Sequence, residues 1–167
     1  MSFSFSDQEC KKIIDLSSSI EEKHVSEIAV FDNLNYFYYP IKRNYNTQWI
    51  FDRFKSFLTS RFPFNKLDEM ETVNLHKYLP GCEFVRHNDR ARNSSHIYVV
   101  GSVISSNFKG GDFILYNPDE VLTREVGYIY GFDTIREHEV TKVTEGERWA
   151  LVMFLTKEDL NVKPVLF

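Results

Sequence analysis

The sequence has few of the residues that punctuate or crosslink a chain: seven glycines, five prolines and two cysteines among 167 residues. So little glycine and proline excludes a collagen-like or low-complexity chain. Two thiols far apart, Cys10 and Cys82, exclude a disulfide framework and suit a reducing interior. No apolar run approaches the ~18 residues that a membrane-spanning helix needs. The start, Met1 to Ser6, lacks the basic-then-apolar build of an export signal. These absences predict a soluble, cytoplasmic protein without a membrane partner. An excess of positive charge is missing too: 20 Lys and Arg stand against 24 Asp and Glu, a net charge of −4. Nucleic acid is therefore not expected as a partner. Arg86, Arg90 and Arg92 do form a local basic group. They read either as solvated surface or as a rim that attracts an acidic substrate or orders a loop.

What the chain does have is apolar and aromatic mass. Hydrophobic residues make up 43% and aromatics 16%, including fifteen Phe and nine Tyr. That excludes disorder and favours strands, because rings pack well on pleated surfaces. The length suits one continuous core. With no repeats and no linker, residues 1–167 read as a single domain: a helical support region over 1–65 and a β core over 66–160.

Ser6, followed by Asp7, Gln8 and Glu9, is a helix start with acids in the first turn. Cys10, Ile13, Ile14 and Leu16 then form an apolar stripe. A second helix is predicted from Thr47 to Ser60, with Trp49, Ile50, Phe54, Phe57 and Leu58 on one side; between the two, Phe31 to Tyr39 is extended and broken by Pro40. From Met70 the pattern changes to short β-branched and aromatic runs: Glu71–Leu79, Phe84–Asp89, His96–Ser105, Asp112–Tyr116, Val126–Phe132, Glu137–Val143 and Arg148–Thr156. Turn signals separate them at Pro80-Gly81, Gly110-Gly111, Asn117-Pro118 and Glu145-Gly146. Many short strands with regular punctuation indicate a sandwich or barrel of jelly-roll type, mainly β with helices from the N-terminal third.

The chemistry-bearing residues are sparse, with five histidines in all. His87 and Asp89 are two positions apart, so on a strand both would point to one face. His138, on a later strand, would complete a two-histidine, one-carboxylate set, which occupies one face of an octahedral iron and leaves the other positions open. Arg148 follows on the next strand, which is apolar on both faces and so central to the fold. A buried guanidinium needs an anionic partner, and a dicarboxylate held by two parallel hydrogen bonds supplies one.

The run Tyr78-Leu79-Pro80-Gly81-Cys82-Glu83-Phe84-Val85-Arg86-His87-Asn88-Asp89 resembles the Tyr-x-x-Gly…His-x-Asp signature of the prolyl-4-hydroxylase-type 2-oxoglutarate/Fe(II) dioxygenases. Its Phe-Val-Arg-His-x-Asp portion is most similar to the hypoxia-sensing prolyl hydroxylases. Lys109-Gly110-Gly111-Asp112-Phe113 resembles the family's glycine turn, and His138-Glu139-Val140 with Gly146-Glu147-Arg148-Trp149 resembles its last ligand and cosubstrate arginine. The resemblance covers residues 70–156 and implies a double-stranded β-helix, a jelly-roll barrel of cupin-like form. It implies Fe(II) on His87, Asp89 and His138, with the tail of 2-oxoglutarate on Arg148 and Tyr78 near that cosubstrate. O2 is the implied oxidant and ascorbate a candidate reductant. The implied reaction hydroxylates a C–H bond, with release of succinate and CO2. The favoured target is a peptidyl residue such as proline; a free amino acid, small metabolite or nucleobase is the alternative. A reading of another class is a non-catalytic, metal-binding cupin-like module.

His76 shares the face of Tyr78 and reads as a neighbour of the site or as a satisfied structural histidine. His96 reads as bordering the substrate mouth or as surface, and His24 as solvated. Two departures stand out. Arg148 occupies the place where collagen-type enzymes carry lysine. The strand from Tyr98 to Ser105 lacks the family tyrosine that assists the arginine, unless Tyr98 or Ser102 takes its place.

Overall fold

The computed structural model describes residues 3–28, 33–122 and 125–162. Helix α1 (Asp7–Asp15) begins as its sequence dictates: the Ser6 hydroxyl accepts from the Glu9 N–H at 3.2 Å, and the Glu9 carboxylate accepts from the Ser6 N–H at 2.8 Å. This reciprocal cap satisfies two backbone donors that the helix itself cannot. Strands β1 (Lys23–Ile28) and β2 (Asn33–Lys42) follow, then α2 (Gln48–Thr59), β3 (Thr72–Tyr78) and β4 (Glu83–His87). A one-turn helix α3 (Asp89–Arg92) leads to β5 (His96–Val103), β6 (Phe108–Gly110), β7 (Phe113–Leu115) and β8 (Glu120–Val121). The chain ends in β9 (Ile129–Asp133), β10 (His138–Val140), β11 (Val143–Gly146) and β12 (Arg148–Thr156).

All the main strands pair antiparallel in the order β8-β7-β10-β4-β2-β3-β12-β5-β9, with β1 on β2 and a separate β6–β11 ladder. Residues from both arms of this path, among them Phe84 and His138 from one and Tyr78, Val99 and Phe132 from the other, line one cavity. The sheet therefore curls until its inner faces oppose each other, in the double-stranded β-helix form.

Alternation along β12 shows how one strand serves two environments. Arg148, Ala150, Val152 and Phe154 line the cavity. Trp149, Leu151, Met153 and Leu155 belong instead to the core that includes Ile13 of α1 and Ile50, Phe51, Phe54 and Leu58 of α2. Side chains two apart share a face, so a strand buried on both sides reads as continuously apolar. Each such large side chain contributes roughly 1.5–3 kcal/mol, and this layer fixes the curvature of the inner face.

Three expectations are corrected. The region over 1–65 supplies more than helical support, because β1 and β2 lie within it and β2 joins β3 to β4. Pro40 does not break β2; it pairs with Asn74 beyond the stretch covered by β1, where a strand tolerates a missing N–H. Glu145-Gly146 is no free turn, since both residues pair with β6. The segment around Phe31 falls partly outside the described residues. Among the described residues, no helix is long and apolar enough to cross a membrane.

Candidate metal centre and its cavity

His87 ends β4, and Asn88 stays extended (φ −121°, ψ 142°) while its side chain caps α3 by accepting from the Ala91 N–H at 2.8 Å. Asp89 thus stands in the first turn of α3, not on a strand as the pattern suggested. The extended link through Asn88 still turns its carboxylate back towards His87. His138, at the start of β10, pairs directly with His87 across the ladder. The three buried side chains converge: His87 Nε2 lies 3.2 Å from Asp89 Oδ1 and His138 Nε2 lies 3.3 Å from Asp89 Oδ2. One ligand atom from each falls within 4.8 Å of the others.

The donor set fits a divalent metal. Nδ1 of His87 meets the Val85 carbonyl at 2.7 Å and Nδ1 of His138 meets the Arg136 carbonyl at 2.9 Å. These contacts assign the ring hydrogen of each neutral imidazole to Nδ1 and leave the Nε2 lone pairs facing the carboxylate. Two lone pairs and a carboxylate converging in a buried space repel one another unless a cation lies between them. Burial alone would raise the pKa of Asp89. Where protons on Nε2 take the place of a cation, the imidazoles of His138 and His87 outweigh it by hydrogen bonding and charge, and hold the carboxyl well below the usual carboxylate range. Phe84 stacks on His87 with centroids 3.5 Å apart, and Phe132 meets His138 at 4.9 Å, which restricts both rings.

The triad opens into a narrow cavity of about 50 Å³, which it shares with His76, Tyr78, Tyr130 and Arg148. Val99, Phe113, Val140 and Val152 supply apolar wall. Arg148 is only 2% exposed. Its Nε donates to the Gly111 carbonyl at 2.9 Å, and its guanidinium carbon lies 5.3 Å from the centre of the Tyr78 ring. A cation this deep sets positive charge against the wall of the cavity that also holds the His87, Asp89 and His138 cluster.

Residues 73–156, half of the chain, match the family model of the 2OG-Fe(II) oxygenase superfamily. The chain belongs to that superfamily. No curated protein sequence matches it. The fold is shared with an oxidoreductase of the 2OG-Fe(II) oxygenase family from Burkholderia pseudomallei (TM-score 0.71, 18% identity, 93% of this chain and 82% of that one). It is shared also with a Pseudomonas putida prolyl-4-hydroxylase (TM-score 0.70, 11% identity, 93% and 90%). A third is a Trichoplax adhaerens prolyl hydroxylase in complex with a hypoxia inducible factor oxygen degradation domain peptide fragment (TM-score 0.68, 16% identity, 92% and 80%). The family uses Fe(II) and 2-oxoglutarate, and the cluster of His87, Asp89 and His138 could hold the metal of such an oxygenase.

Around that centre the oxygenase arranges the other singled-out residues unevenly. His76 lines the cavity and stacks on Tyr36 at 4.7 Å. Burial first, and then the charge of Arg148, push its pKa down to about 3, so it is a neutral ring without a hydrogen bond to any described residue. His96 stacks on Phe154 at 5.0 Å beside the groove that runs on from Asp89, whereas His24 is exposed. The arginines do not form one patch. Arg86 pairs with Glu137 and covers the Tyr116 ring, Arg90 pairs with Asp133, and Arg92 lies over Phe84.

Neither candidate for the assisting tyrosine reaches the cavity. Tyr98 belongs to the helix-side core against Phe62, and the buried Ser102 hydroxyl has no partner there. Tyr130 was not singled out from the sequence, yet it lines the cavity beside Phe132. Its alternation with Ile129 and Gly131 was the available signal.

Proposed function

We propose that this oxygenase hydroxylates a C–H bond of a peptidyl residue, proline being the favoured target, with release of succinate and CO2. The observation that carries it is the enclosure of the His87–Asp89–His138 cluster and the buried Arg148 in a single cavity. In this reading His87, Asp89 and His138 hold the metal. Arg148 binds the distal carboxylate of 2-oxoglutarate, and Tyr78 borders the cosubstrate. When bound, Fe(II) and 2-oxoglutarate supply activation of O2 coupled to decarboxylation and transfer of one oxygen atom to carbon, with ascorbate as an external reductant.

The chain's own residues do the positioning. The Val85 and Arg136 carbonyls hold the two imidazoles by their Nδ1–H groups, so that each Nε2 is presented without rearrangement. Asp89 contributes negative charge and, from the start of a one-turn helix, sits where backbone N–H groups favour it. Gly111 fixes the angle of Arg148. The apolar wall formed by Val99, Phe113, Phe132, Val140 and Val152 keeps water out, which strengthens the attraction between the guanidinium and a carboxylate.

A peptide substrate is supported by the groove that continues past Asp89 to the surface between Tyr36, Phe84, His96 and Phe154. Its aromatic sides suit a flat or apolar ring. The Trichoplax neighbour, which carries a peptide fragment, points the same way.

The test is anaerobic addition of Fe(II) and 2-oxoglutarate, watched for the weak visible charge-transfer band of the chelate. The band is expected in the wild type and absent in Asp89→Ala. After admission of air, proline-containing peptides should stimulate succinate formation and gain one oxygen by mass. Metal binding without any 2-oxoglutarate turnover would favour a non-catalytic cupin-like module. Stimulation by free amino acids or nucleobases alone would move the substrate class.

A further inference from the structure

The inner face of β12 runs from a deep end to an open one. Arg148 and Ala150 are 2% and 1% exposed, whereas Val152 and Phe154 are only partly buried, and Phe154 also borders the groove that continues past Asp89. Register sets Tyr78 of β3 opposite Arg148 and His76 opposite Ala150. Two residues along a strand span roughly 7 Å, so His76 stands one row nearer the groove than the guanidinium does. On its other side β2 brings Tyr38 opposite His76, and the ring of Tyr36, which lines the groove, stacks on the imidazole at 4.7 Å.

We infer that His76 is a specificity residue, which donates a hydrogen bond to the backbone carbonyl of the peptidyl residue offered to the metal. The inference rests on the peptide reading given above and adds the atom that is recognised. The imidazole is only 7% exposed, lines the cavity, and makes no hydrogen bond to any described residue. It stands between the deep anchor and the cluster, since the charges of Arg148 and Asp89 both act on it. Burial first, and the guanidinium second, keep the ring neutral, with one N–H and one lone pair. Such a ring can donate to a neutral carbonyl without setting a second positive charge beside Arg148. A target proline has no backbone N–H, so a carbonyl is the one polar backbone group that it brings in. An acceptor that leaves water for an apolar enclosure needs a donor. The other donors of the wall are placed elsewhere. Arg148 and Tyr78 share the deep row, and His87 and His138 donate through Nδ1 to their own strand carbonyls. Tyr130 packs between Phe113 and Phe132, neither of which borders the groove.

The test uses the anaerobic protein loaded with Fe(II) and 2-oxoglutarate, and calorimetric titration of two short peptides. One ends in prolinamide; the other ends in pyrrolidine, which keeps the ring and lacks the carbonyl. The wild type should prefer the prolinamide peptide by about tenfold, the size of one hydrogen bond. His76→Phe keeps a flat ring on Tyr36 and should bring the two peptides to equal affinity, while the chelate band reports an unchanged dissociation constant for 2-oxoglutarate. His76→Asn retains a donor and should keep part of the preference. The same preference in the wild type and in His76→Phe overturns the inference. A weaker 2-oxoglutarate constant in His76→Phe does so too, because it reports a loosened cavity. A wild type that forms the chelate band and binds neither peptide overturns the peptide reading itself, a result seen without any variant.

Discussion

Arg148 and Gly111 are built for each other: the arginine Nε donates to the glycine carbonyl at 2.9 Å, and a Cβ on Gly111 would stand 2.8 Å from the arginine Cδ. Gly111 also has φ +61°, a region that other residues enter at a cost. Gly111→Ala should therefore misplace the guanidinium. We expect at least about tenfold weaker binding of 2-oxoglutarate and a loss of about 1–2 kcal/mol in stability, read by chelate titration and urea unfolding. Wild-type affinity in a folded Gly111→Ala protein would show that the contact does not position Arg148.

Removal of any one of His87, Asp89 or His138 breaks a set in which the two imidazoles are aimed by their own backbone contacts and the carboxylate lies between them. Each alanine variant should lower Fe(II) affinity by more than about a hundredfold, since even outer partners of such ligands are worth 10–100-fold. Calorimetric titration checks this. His24→Ala, an exposed histidine, serves as the control with unchanged affinity.

His76 gives the metal-free protein a pH dependence with a definite sign. Its pKa falls from 6.5 to about 3 on folding. The unfolded chain thus binds one more proton than the native state anywhere between those values, and stability rises with pH across that window. Its contribution is level above about pH 6.5 and falls by about 1.4 kcal/mol per unit as pH drops below it. Urea midpoints at pH 7 and pH 5 should differ by less in His76→Asn than in the wild type. An identical pH dependence in the two proteins would mean that the ring is not held neutral.

Ser6→Ala removes the hydroxyl that closes the reciprocal cap of α1. It should destabilise the protein by about 1 kcal/mol while leaving the affinity for 2-oxoglutarate unaltered, because α1 packs on the outer face of the sheet. Thermal unfolding with and without cosubstrate separates the two effects.

Much of this molecule is legible along the chain because it depends on local rules. The cap at Ser6, the stripes of α1 and α2, and the strands β3, β4, β5, β7, β9, β10 and β12 follow from side-chain period and turn chemistry, and the structure has them within a few residues. The set of His87, Asp89 and His138 was legible through the resemblance of the motifs around them; spacing alone joined only His87 and Asp89, on the expectation of a shared strand, whereas Asp89 stands in α3. What spacing could not supply was everything that depends on which strand lies beside which. Pro40 inside β2, the pairing of Glu145 with Lys109 and the reach of Tyr130 over Gly101 are set by register between segments far apart in sequence.

By itself, then, the order of residues determined which groups are available and which way each points along its own element. The curl of the sheet decided which of them meet. Burial on both faces makes a central strand such as β12 uniformly apolar, so its sequence does not say which side holds the cavity; only packing against α1 and α2 on one side, and the opposing strands on the other, assigns Arg148 to the interior and Trp149 to the helices.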